Sequence, residues 1–336
     1  MKRLFLLSIL CAAAACGGSS FEIPDPVGGD GGQGSEQTPP EPDTPDTPDT
    51  PDTPDGPVAE GLPDWPLVVQ GAGTLVADGA DEATYALITA QGYNQEAPDT
   101  SGAHADAPFR HIRQTFDEAL KRWVFEFYIH VENDDDRGDA KKTDRQRNEI
   151  KTDGHSPASM VAQRGETLEM RWKFRLPEGM RTTSNFCHIH QLKGIDNAEG
   201  TADVSMPLIT FTPRTLSNGS RQLQVIHVPP TEQGGGNDYL ARIDLSDFLG
   251  EWVAVTERVR FDAADAGGSY SLRIVRISDN RELLRLDNRK LDLWRTGTTG
   301  LRPKWGIYRS IGEAGSLKSQ LRDEVIRFAD FEIEKL

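Results

Sequence analysis

The 336-residue chain carries 53 acidic and 37 basic residues, which gives a formal net charge of −16, and 36% of its residues are hydrophobic. This composition is sufficient for a folded core, whereas the acidic balance and the lack of a basic block exclude a nucleic-acid-binding protein. After the first residues, no apolar run is long enough to cross a bilayer.

The N-terminal residues have the pattern of a secretory signal. A short positive region, MKR, precedes an apolar stretch at 4–10 that is too short for a transmembrane helix. Residues 13–17 (AAACG) resemble a bacterial lipobox, which implies a signal peptide over residues 1–15 and lipidation of Cys16. We therefore expect a lipid anchor in the bacterial cell envelope, at the outer membrane or cell surface. The alternative is an ordinary signal peptide that is cleaved nearby.

Residues 16–57 are dominated by Gly, Pro, Asp and Thr and end in repeated Pro-Asp-Thr. Such a segment has almost no apolar surface to bury, so it is predicted to be an extended, disordered tether. Ten of its residues are acidic and none is basic, and their mutual repulsion should extend it further. Without the signal and tether, 43 acidic and 35 basic residues remain, so residues 58–336 carry a net charge of about −8.

Residues 58–336 are predicted to form a single globular domain. Of the three cysteines, Cys11 lies in the signal and Cys16 is the expected lipid site, which leaves Cys187 without a partner inside the domain. An apolar core rather than a disulfide must therefore stabilise the fold. The length suits one large β-sandwich, and no second linker or repeat divides it. We expect a monomer.

Alternation of apolar and polar residues marks most of this domain as β-structure. In residues 167–176, apolar and charged side chains alternate strictly, the period-2 pattern of a half-buried strand. Helical patterning is limited to a turn or two at 114–122. Further strands are predicted at 123–131, 145–151, 186–193, 206–213, 221–228, 252–261, 269–277, 303–309 and 324–334. This pattern predicts an all-β fold, a jelly roll or concanavalin-like sandwich of two antiparallel sheets with a concave polar groove.

The strand at 167–176 carries a row of cations opposite its apolar face, formed by Arg171, Lys173 and Arg175. A cationic row on a sheet is suited to a polyanion, so Arg171 and Lys173 are predicted to contact a substrate. The alternative is a solvated outer face without a partner, because charged rows are common on protein surfaces.

Three other segments concentrate groups that can hold a carboxylate or move protons. They are residues 145–151 (RQRNEIK), 186–191 (FCHIHQ) and 302–309 (RPKWGIYR), each with ionisable side chains opposite an apolar face. Arg binds carboxylates through a bidentate fork, and His transfers protons or binds metals. In the second segment His188 and His190 are predicted to share the polar face. Together the three strands predict one polar, concave surface.

A short acidic loop at 133–136 offers a weaker signal. The carboxylates of Asp134 and Asp136 could provide oxygen ligands for Ca²⁺. The alternative is a solvated acidic loop, because the spacing does not match an EF-hand. No cofactor and no metal is predicted to be required.

The three polar segments resemble motifs of the jelly-roll polysaccharide lyases, which include the alginate lyases and the related heparin and glucuronan lyases. Residues 147–150 (RNEI) are similar to an Arg-x-Glu-Leu strand of that family, residues 188–190 (HIH) to its Gln-x-His strand, and residues 304–308 (KWGIY) to its Lys-x-Gly-x-Tyr strand. They occur in the family's order. His188 stands where alginate lyases usually have Gln, which favours a different uronic acid, such as that of glucuronan.

The resemblance implies β-elimination at a uronic acid of an acidic polysaccharide. The uronate carboxylate must be neutralised before a base can remove the C5 proton and an acid can protonate O4. Arg147, helped by His188, is predicted to neutralise the carboxylate. Tyr308 is predicted to be both acid and base when the two groups are syn, with His190 as the base when they are anti. The predicted substrate-binding residues are Glu149, Lys151, Arg171, Lys173, Gln191, Lys304 and Arg309.

Other function classes fit part of this pattern. A cationic groove alone would suit a non-catalytic carbohydrate-binding surface lipoprotein, and a surface protein with a purely structural role also remains an alternative. A glycoside hydrolase on a similar sandwich needs two carboxylates that flank the scissile bond. No Glu-x-Asp-x-Glu strand of the kind found in sandwich glucanases is present, which disfavours the hydrolase.

Overall fold

The computed structural model describes residues 73–102, 104, 108–139, 141–230 and 236–336. The predicted signal peptide, the lipidation of Cys16 and the tether lie outside these residues. Among the residues described, no helix is long and apolar enough to cross a membrane.

Strands account for most of the described chain, with only two short α-helices, α1 (Thr84–Ala90) and α2 (Pro98–Ser101). In chain order the strands are β1 (Thr74–Leu75), β2 (Asn94–Glu96), β3 (Ile112–Asp117), β4 (Arg122–Ile129), β5 (Arg145–Lys151), β6 (Thr167–Arg175), β7 (Cys187–Ile195), β8 (Ile209–Thr215), β9 (Arg221–His227), β10 (Asp238–Asp244), β11 (Trp252–Arg260), β12 (Ser269–Arg276), β13 (Arg281–Lys290), β14 (Gly300–Ser310) and β15 (Glu324–Lys335).

These strands form two antiparallel sheets that pack as a sandwich. The first sheet has the order β13-β12-β11-β6-β15-β4-β3, with β1 paired to β15, and the second has the order β10-β9-β8-β7-β14-β5-β2. Strands distant in sequence are neighbours in both sheets, as in jelly rolls. The prediction of an all-β jelly-roll sandwich of two antiparallel sheets is confirmed.

The core lies between the inner faces of the two sheets. On β6 the predicted alternation holds: Leu168, Met170, Trp172 and Phe174 are fully buried. The indole of Trp172 reaches the opposite sheet, where its ring centroid lies 5.5 Å from that of Phe211 on β8. Aromatic contacts of this kind add to the stabilisation from apolar burial.

The cationic row on β6 lies on the outer face of the first sheet. Arg171 pairs with Glu169 on its own strand and with Glu332 on β15, and Lys173 pairs with Asp330. The row is thus part of a surface of opposite charges on neighbouring strands. The prediction that Arg171 and Lys173 line the substrate groove is wrong, because the other polar segments belong to the second sheet.

The helical turn predicted at 114–122 is instead the end of strand β3 and the turn that connects it to β4, with which β3 pairs in regular antiparallel register. Pairing with a long neighbouring strand outweighs a short stretch of helical propensity. In contrast, α1 was not predicted. It begins without a side-chain cap at Ala83, so the usual sequence signal for a helix start is missing.

His190 lies in the core and not on the polar face. The alternation of β7 is interrupted because its register against β14 shifts between Trp305 and Tyr308. The imidazole is fully buried, with its ring centroid 5.2 Å from that of Trp305 and its Nε2 atom 2.9 Å from Glu257 Oε2. Those two atoms are close but not aligned as a hydrogen bond. The prediction that His188 and His190 share a face is therefore wrong, as is a role for His190 as base.

Glu257 links two polar groups inside this apolar core, since it also accepts a hydrogen bond of 2.7 Å from the Tyr270 hydroxyl. We expect Glu257→Ala to lower the free energy of unfolding by about 1–3 kcal/mol, because it leaves the buried Tyr270 hydroxyl without its acceptor. The matched control is Glu282→Ala, which removes an exposed partner of Arg285 and should cost less than about 1 kcal/mol. Equal shifts of the urea midpoint in the two variants would contradict this assignment.

Candidate active site

The three predicted polar segments are adjacent strands of the second sheet, in the order β7-β14-β5. On β14, Tyr308 lies opposite Arg147 of β5 on one side and His188 of β7 on the other. Lys304 lies opposite Lys151 and Gln191 in the same way. The outer face of this sheet therefore brings together seven of the predicted site residues, namely Arg147, Glu149, Lys151, His188, Gln191, Lys304 and Tyr308.

Gly306 sets the close approach of β14 to β5 in the middle of this face. Its φ is +144°, which favours glycine, and a Cβ atom there would lie 2.1 Å from the carbonyl oxygen of Asn148. A side chain would force the two strands apart. The glycine thus keeps Tyr308, two residues later, in register with Arg147.

A buried cluster of charges forms the floor of the site. Glu149 is fully buried and Lys304 nearly so, and the Lys304 Nζ atom lies 2.7 Å from Glu149 Oε2 and 2.5 Å from Glu96 Oε2. Burial alone would raise the pKa of Glu149, but the cations of Lys304 and Arg147 outweigh it and hold that pKa below its ordinary value. Gln191 completes the cluster by donating a hydrogen bond to Glu149.

Arg147 is surrounded by carboxylates. It pairs with Glu149 on its own strand, with Glu96 of β2, and through Nε with Asp136 Oδ1 at 2.7 Å. The sequence did not single out Glu96, which also contacts Lys151 at 3.0 Å, because β2 is only three residues long and carries no alternation. The guanidinium of Arg147 also packs against Tyr308, with its Cζ atom 3.6 Å from the centre of the phenol ring.

Tyr308 stands between two arginines. Arg145 donates a hydrogen bond of 2.7 Å from Nη1 to the phenol oxygen, while Arg147 packs against the ring. Burial raises the pKa of Tyr308 above its ordinary value of 10, although both guanidinium groups act in the opposite direction. The phenol is consequently protonated at neutral pH and is a proton donor in the resting site.

His188 is neutral, and its hydrogen bonds define its tautomer. Its Nδ1 atom lies 2.8 Å from the hydroxyl oxygen of Thr212, and that hydroxyl donates onward to Thr210 at 3.0 Å. Thr212 must therefore accept from Nδ1–H, which leaves a lone pair on Nε2. Burial lowers the pKa of His188 to about 3, assisted by the nearby Arg214. The ring centroids of His188 and Tyr308 are 6.0 Å apart.

Further cations extend the polar face beyond the predicted residues. Lys193 of β7 lies opposite Arg302 of β14, and Arg214 belongs to β8, beside His188. The Nε atoms of Arg214 and Arg302 are buried and have no hydrogen-bond partner among the described residues. Burial lowers the pKa of Lys193 to about 7, and the positive charges of the neighbouring Lys304 and Arg302 lower it further. Arg214 was missed because the predicted strand, 206–213, stopped one residue before it, whereas β8 continues to Thr215.

Arg309 faces away from this surface. It is almost fully buried, and its guanidinium donates to Gln146 Oε1 at 2.9 and 3.0 Å and to the carbonyl of Arg322 at 2.8 Å. The prediction that Arg309 binds substrate is wrong, because alternation along β14 directs it to the opposite side from Tyr308.

The carboxylates of Asp134 and Asp136 engage different partners. Asp136 pairs with Arg147 and Arg137, whereas Asp134 lies among histidine side chains. A calcium site at these two residues stays a prediction.

Comparison with known proteins gives only structural matches. No family model matches the chain, and no curated protein matches its sequence. Among solved structures, a marine PL-14 alginate lyase from Aplysia kurodai superposes with a TM-score of 0.52 at 11% identity, over 80% of this chain and 100% of the other. An alginate lyase from Pseudomonas aeruginosa gives 0.46 at 14% identity, over 73% and 98%. The chain thus shares the jelly-roll fold of the Aplysia alginate lyase.

Proposed function

We propose that the protein is a polysaccharide lyase that cleaves a uronic-acid-containing polysaccharide by β-elimination. One observation carries the proposal: a neutral imidazole with a free Nε2 lone pair, His188, lies beside a protonated phenol, Tyr308, on an arginine-rich sheet face. Environments that separate the protonation states of two neighbouring groups in this way are typical of an acid–base pair. The fold shared with an alginate lyase agrees with this class of reaction.

The first requirement of the reaction is a partner for the uronate carboxylate. The C5 proton is weakly acidic while the adjacent carboxylate keeps its full charge, so charge developing on that group must be stabilised by fixed donors. Arg147 already has three carboxylate neighbours. We therefore assign carboxylate binding to Arg214, which lies near His188 and whose Nε has no hydrogen-bond partner among the described residues.

The proton transfers follow from the two protonation states. His188 Nε2 takes the proton from C5, the C4–C5 double bond forms, and the C4–O4 bond breaks. The Tyr308 hydroxyl gives its proton to the departing O4, and the hydrogen bond from Arg145 stabilises the phenolate that results. Proton transfer from the imidazolium to the phenolate restores both groups. A syn substrate could instead use Tyr308 for both steps, as first predicted, after Tyr308 has lost its proton.

The remaining residues of the cluster hold this pair in place. Arg147 packs against one face of the Tyr308 ring and holds it in place. Ion pairs with Glu149, Glu96 and Asp136 set the position of Arg147. Lys304 and Gln191 in turn hold Glu149. Preorganisation of this kind keeps the charged groups from rearranging during the reaction.

A polyanion suits the rest of the face. The cationic surface extends away from Tyr308 across strands β8, β7 and β14, which carry Arg214, Lys193 and Arg302. We propose glucuronan or a related polyuronate as the substrate, with alginate as the main competitor, because His188 replaces the glutamine usual in alginate lyases. No cofactor takes part in the steps above.

We also propose that the enzyme acts outside the cell on a lipid anchor at Cys16, with residues 17–57 as a tether. A surface-anchored enzyme can reach a polymer too large to enter the cell. We expect Cys16→Ser to move the protein from the membrane to the soluble fraction, since the acyl chains would be lost. Cys11→Ser is the matched control, and continued membrane association of the Cys16 variant would contradict the anchor.

Tyr308→Phe should lower kcat at least about 100-fold, because the proton for O4 is lost while the ring and its contact with Arg147 remain. The measurement is the ultraviolet absorbance of unsaturated uronates during incubation with glucuronan, alginate, heparin or pectate. Tyr128→Phe is the matched control, since that hydroxyl contacts Glu126 on the other sheet.

The same assay separates the alternatives. Wild-type binding of these polymers without any gain in absorbance would identify a carbohydrate-binding protein. New reducing ends without absorbance would identify a hydrolase. Full activity of both Tyr308→Phe and His188→Asn would exclude the acid–base pair proposed here.

The pH dependence provides an independent check. His188 and Tyr308 keep their states between about pH 5 and pH 9, since their pKa values are about 3 and above 10. Lys193, with a pKa of about 7, is charged below that pH and neutral above it. We therefore expect kcat/KM for a polyuronate to fall about fivefold as the pH rises through 7, with kcat nearly constant, which corresponds to roughly 1 kcal/mol for one ion pair.

Lys193→Arg is the control for this effect, because arginine stays charged throughout the range. The kcat/KM of the variant should not change with pH over this range, and it should equal the value that the wild type has below pH 7. A fall of equal size in the wild type and in Lys193→Arg would contradict the assignment.

A further inference from the structure

We propose that His104, His111 and Asp134 form a binding site for a divalent transition metal ion, with Zn²⁺ as the ion of choice. The site lies outside the acid–base pair, on the segments that precede β3 and follow β4. Nothing in the proposed lyase reaction requires it, and the evidence for it is independent of that reaction.

The donor atoms already have the spacing of a tetrahedral site. The Nε2 atoms of His104 and His111 each lie 3.1 Å from Asp134 Oδ1, and the three donor atoms are all within 4.8 Å of one another. Ligands at the Zn–N and Zn–O distances of about 2.0–2.1 Å are roughly 3.3 Å apart in a tetrahedron. An ion would replace the hydrogen bond that His111 Nε2 now makes with Asp134 Oδ1, and the set could then surround it with small movements of the side chains.

The type of donor selects the ion. Two imidazole nitrogens and one carboxylate oxygen suit zinc, whereas calcium and magnesium prefer a shell made only of oxygen ligands. Three protein ligands leave a fourth position. We assign that position to water, because His130 Nδ1 contacts the other oxygen of Asp134, Oδ2, at 3.3 Å and does not belong to the group of three donor atoms.

The outer partners of the cluster are those of a metal-binding histidine. The other ring nitrogen of His111, Nδ1, lies 3.2 Å from Asp99 Oδ1 without an aligned hydrogen bond, and the backbone N–H of His111 donates to the same oxygen at 3.3 Å. Asp99 is itself held by the Tyr85 hydroxyl at 2.6 Å and is buried. Carboxylate–histidine pairs of this kind orient metal ligands and raise their basicity.

His104 supplies the second observation that points to an ion. Its Nε2 atom is buried and, although close to Asp134, makes no aligned hydrogen bond with a described residue. A lone pair directed at a shared ion accounts for this geometry. The ring also packs against that of His111, with centroids 5.2 Å apart.

An ion at this position would be coupled to the active site through backbone contacts. Asp134 begins the segment that ends at Asp136, whose carboxylate contacts Arg147, and the amide of Arg147 donates to the Asp135 carbonyl at 3.0 Å. Gln146 donates to the Asp134 carbonyl at 2.9 Å. Metal binding would therefore fix the segment that positions Arg147 beneath Tyr308.

The test measures metal binding directly on the full chain. After dialysis against a chelator, the protein is titrated with Zn²⁺ by calorimetry, and the metal content is determined after gel filtration. We expect one Zn²⁺ per chain, a higher Tm with the ion, and a visible cobalt spectrum typical of four-coordinate Co²⁺ after substitution with that ion. Ca²⁺ should not displace the bound Zn²⁺, since it prefers a shell made only of oxygen ligands.

Variants distinguish this site from weak binding to surface histidines. His104→Ala, at a partly exposed position, should lower the affinity for Zn²⁺ more than 100-fold, and Asp99→Asn by about 10–100-fold through loss of the outer partner. His155→Ala removes a side chain that is 96% exposed and should have no effect.

Three results would overturn the proposal: no stoichiometric zinc in the wild type, equal affinities in His104→Ala and His155→Ala, or a six-coordinate cobalt spectrum. Because binding is measured without substrate, a protein that binds zinc but lacks lyase activity would refute the proposed function and leave the metal site standing.

Discussion

The need to compensate one buried carboxylate shapes the entire site. Glu149 has no solvent contact, so its charge is stable in the sheet only with Lys304 and Arg147 beside it. Those two cations come from β14 and β5, and Glu96 from β2 balances their charge. Four charged residues on three strands thus fix one another, and the position of Tyr308 follows from the position of Arg147.

Strand periodicity was sufficient to predict the sandwich and the three segments that meet at this cluster. Alternation depends only on local sequence, and it holds along β5, β6 and most of β14. It failed at His190, where a shift in strand register changes which side chain faces inward. It also could not reveal that β6 belongs to the other sheet, because sheet membership depends on contacts between residues far apart in the chain.

The residues missed from sequence have a common reason. Glu96 lies on a three-residue strand, and Arg214 lies at the end of β8, so neither carries a recognisable pattern of its own. The cluster of His104, His111 and Asp134 joins positions up to thirty residues apart through loops. Only the fold brings such groups together, since their spacing in sequence matches no known ligand motif.

Gly306 provides a marker for recognising distant relatives of this chain. The Aplysia alginate lyase shares the fold of this chain at only 11% identity, so overall identity does not indicate which chains could build this site. The glycine, however, is constrained both by its φ of +144° and by the carbonyl 2.1 Å from where its side chain would start. Neutral drift cannot replace it while the arginine and tyrosine stay in register. A glycine two residues before a tyrosine on a central strand is therefore a necessary feature to look for in other chains that could build this site.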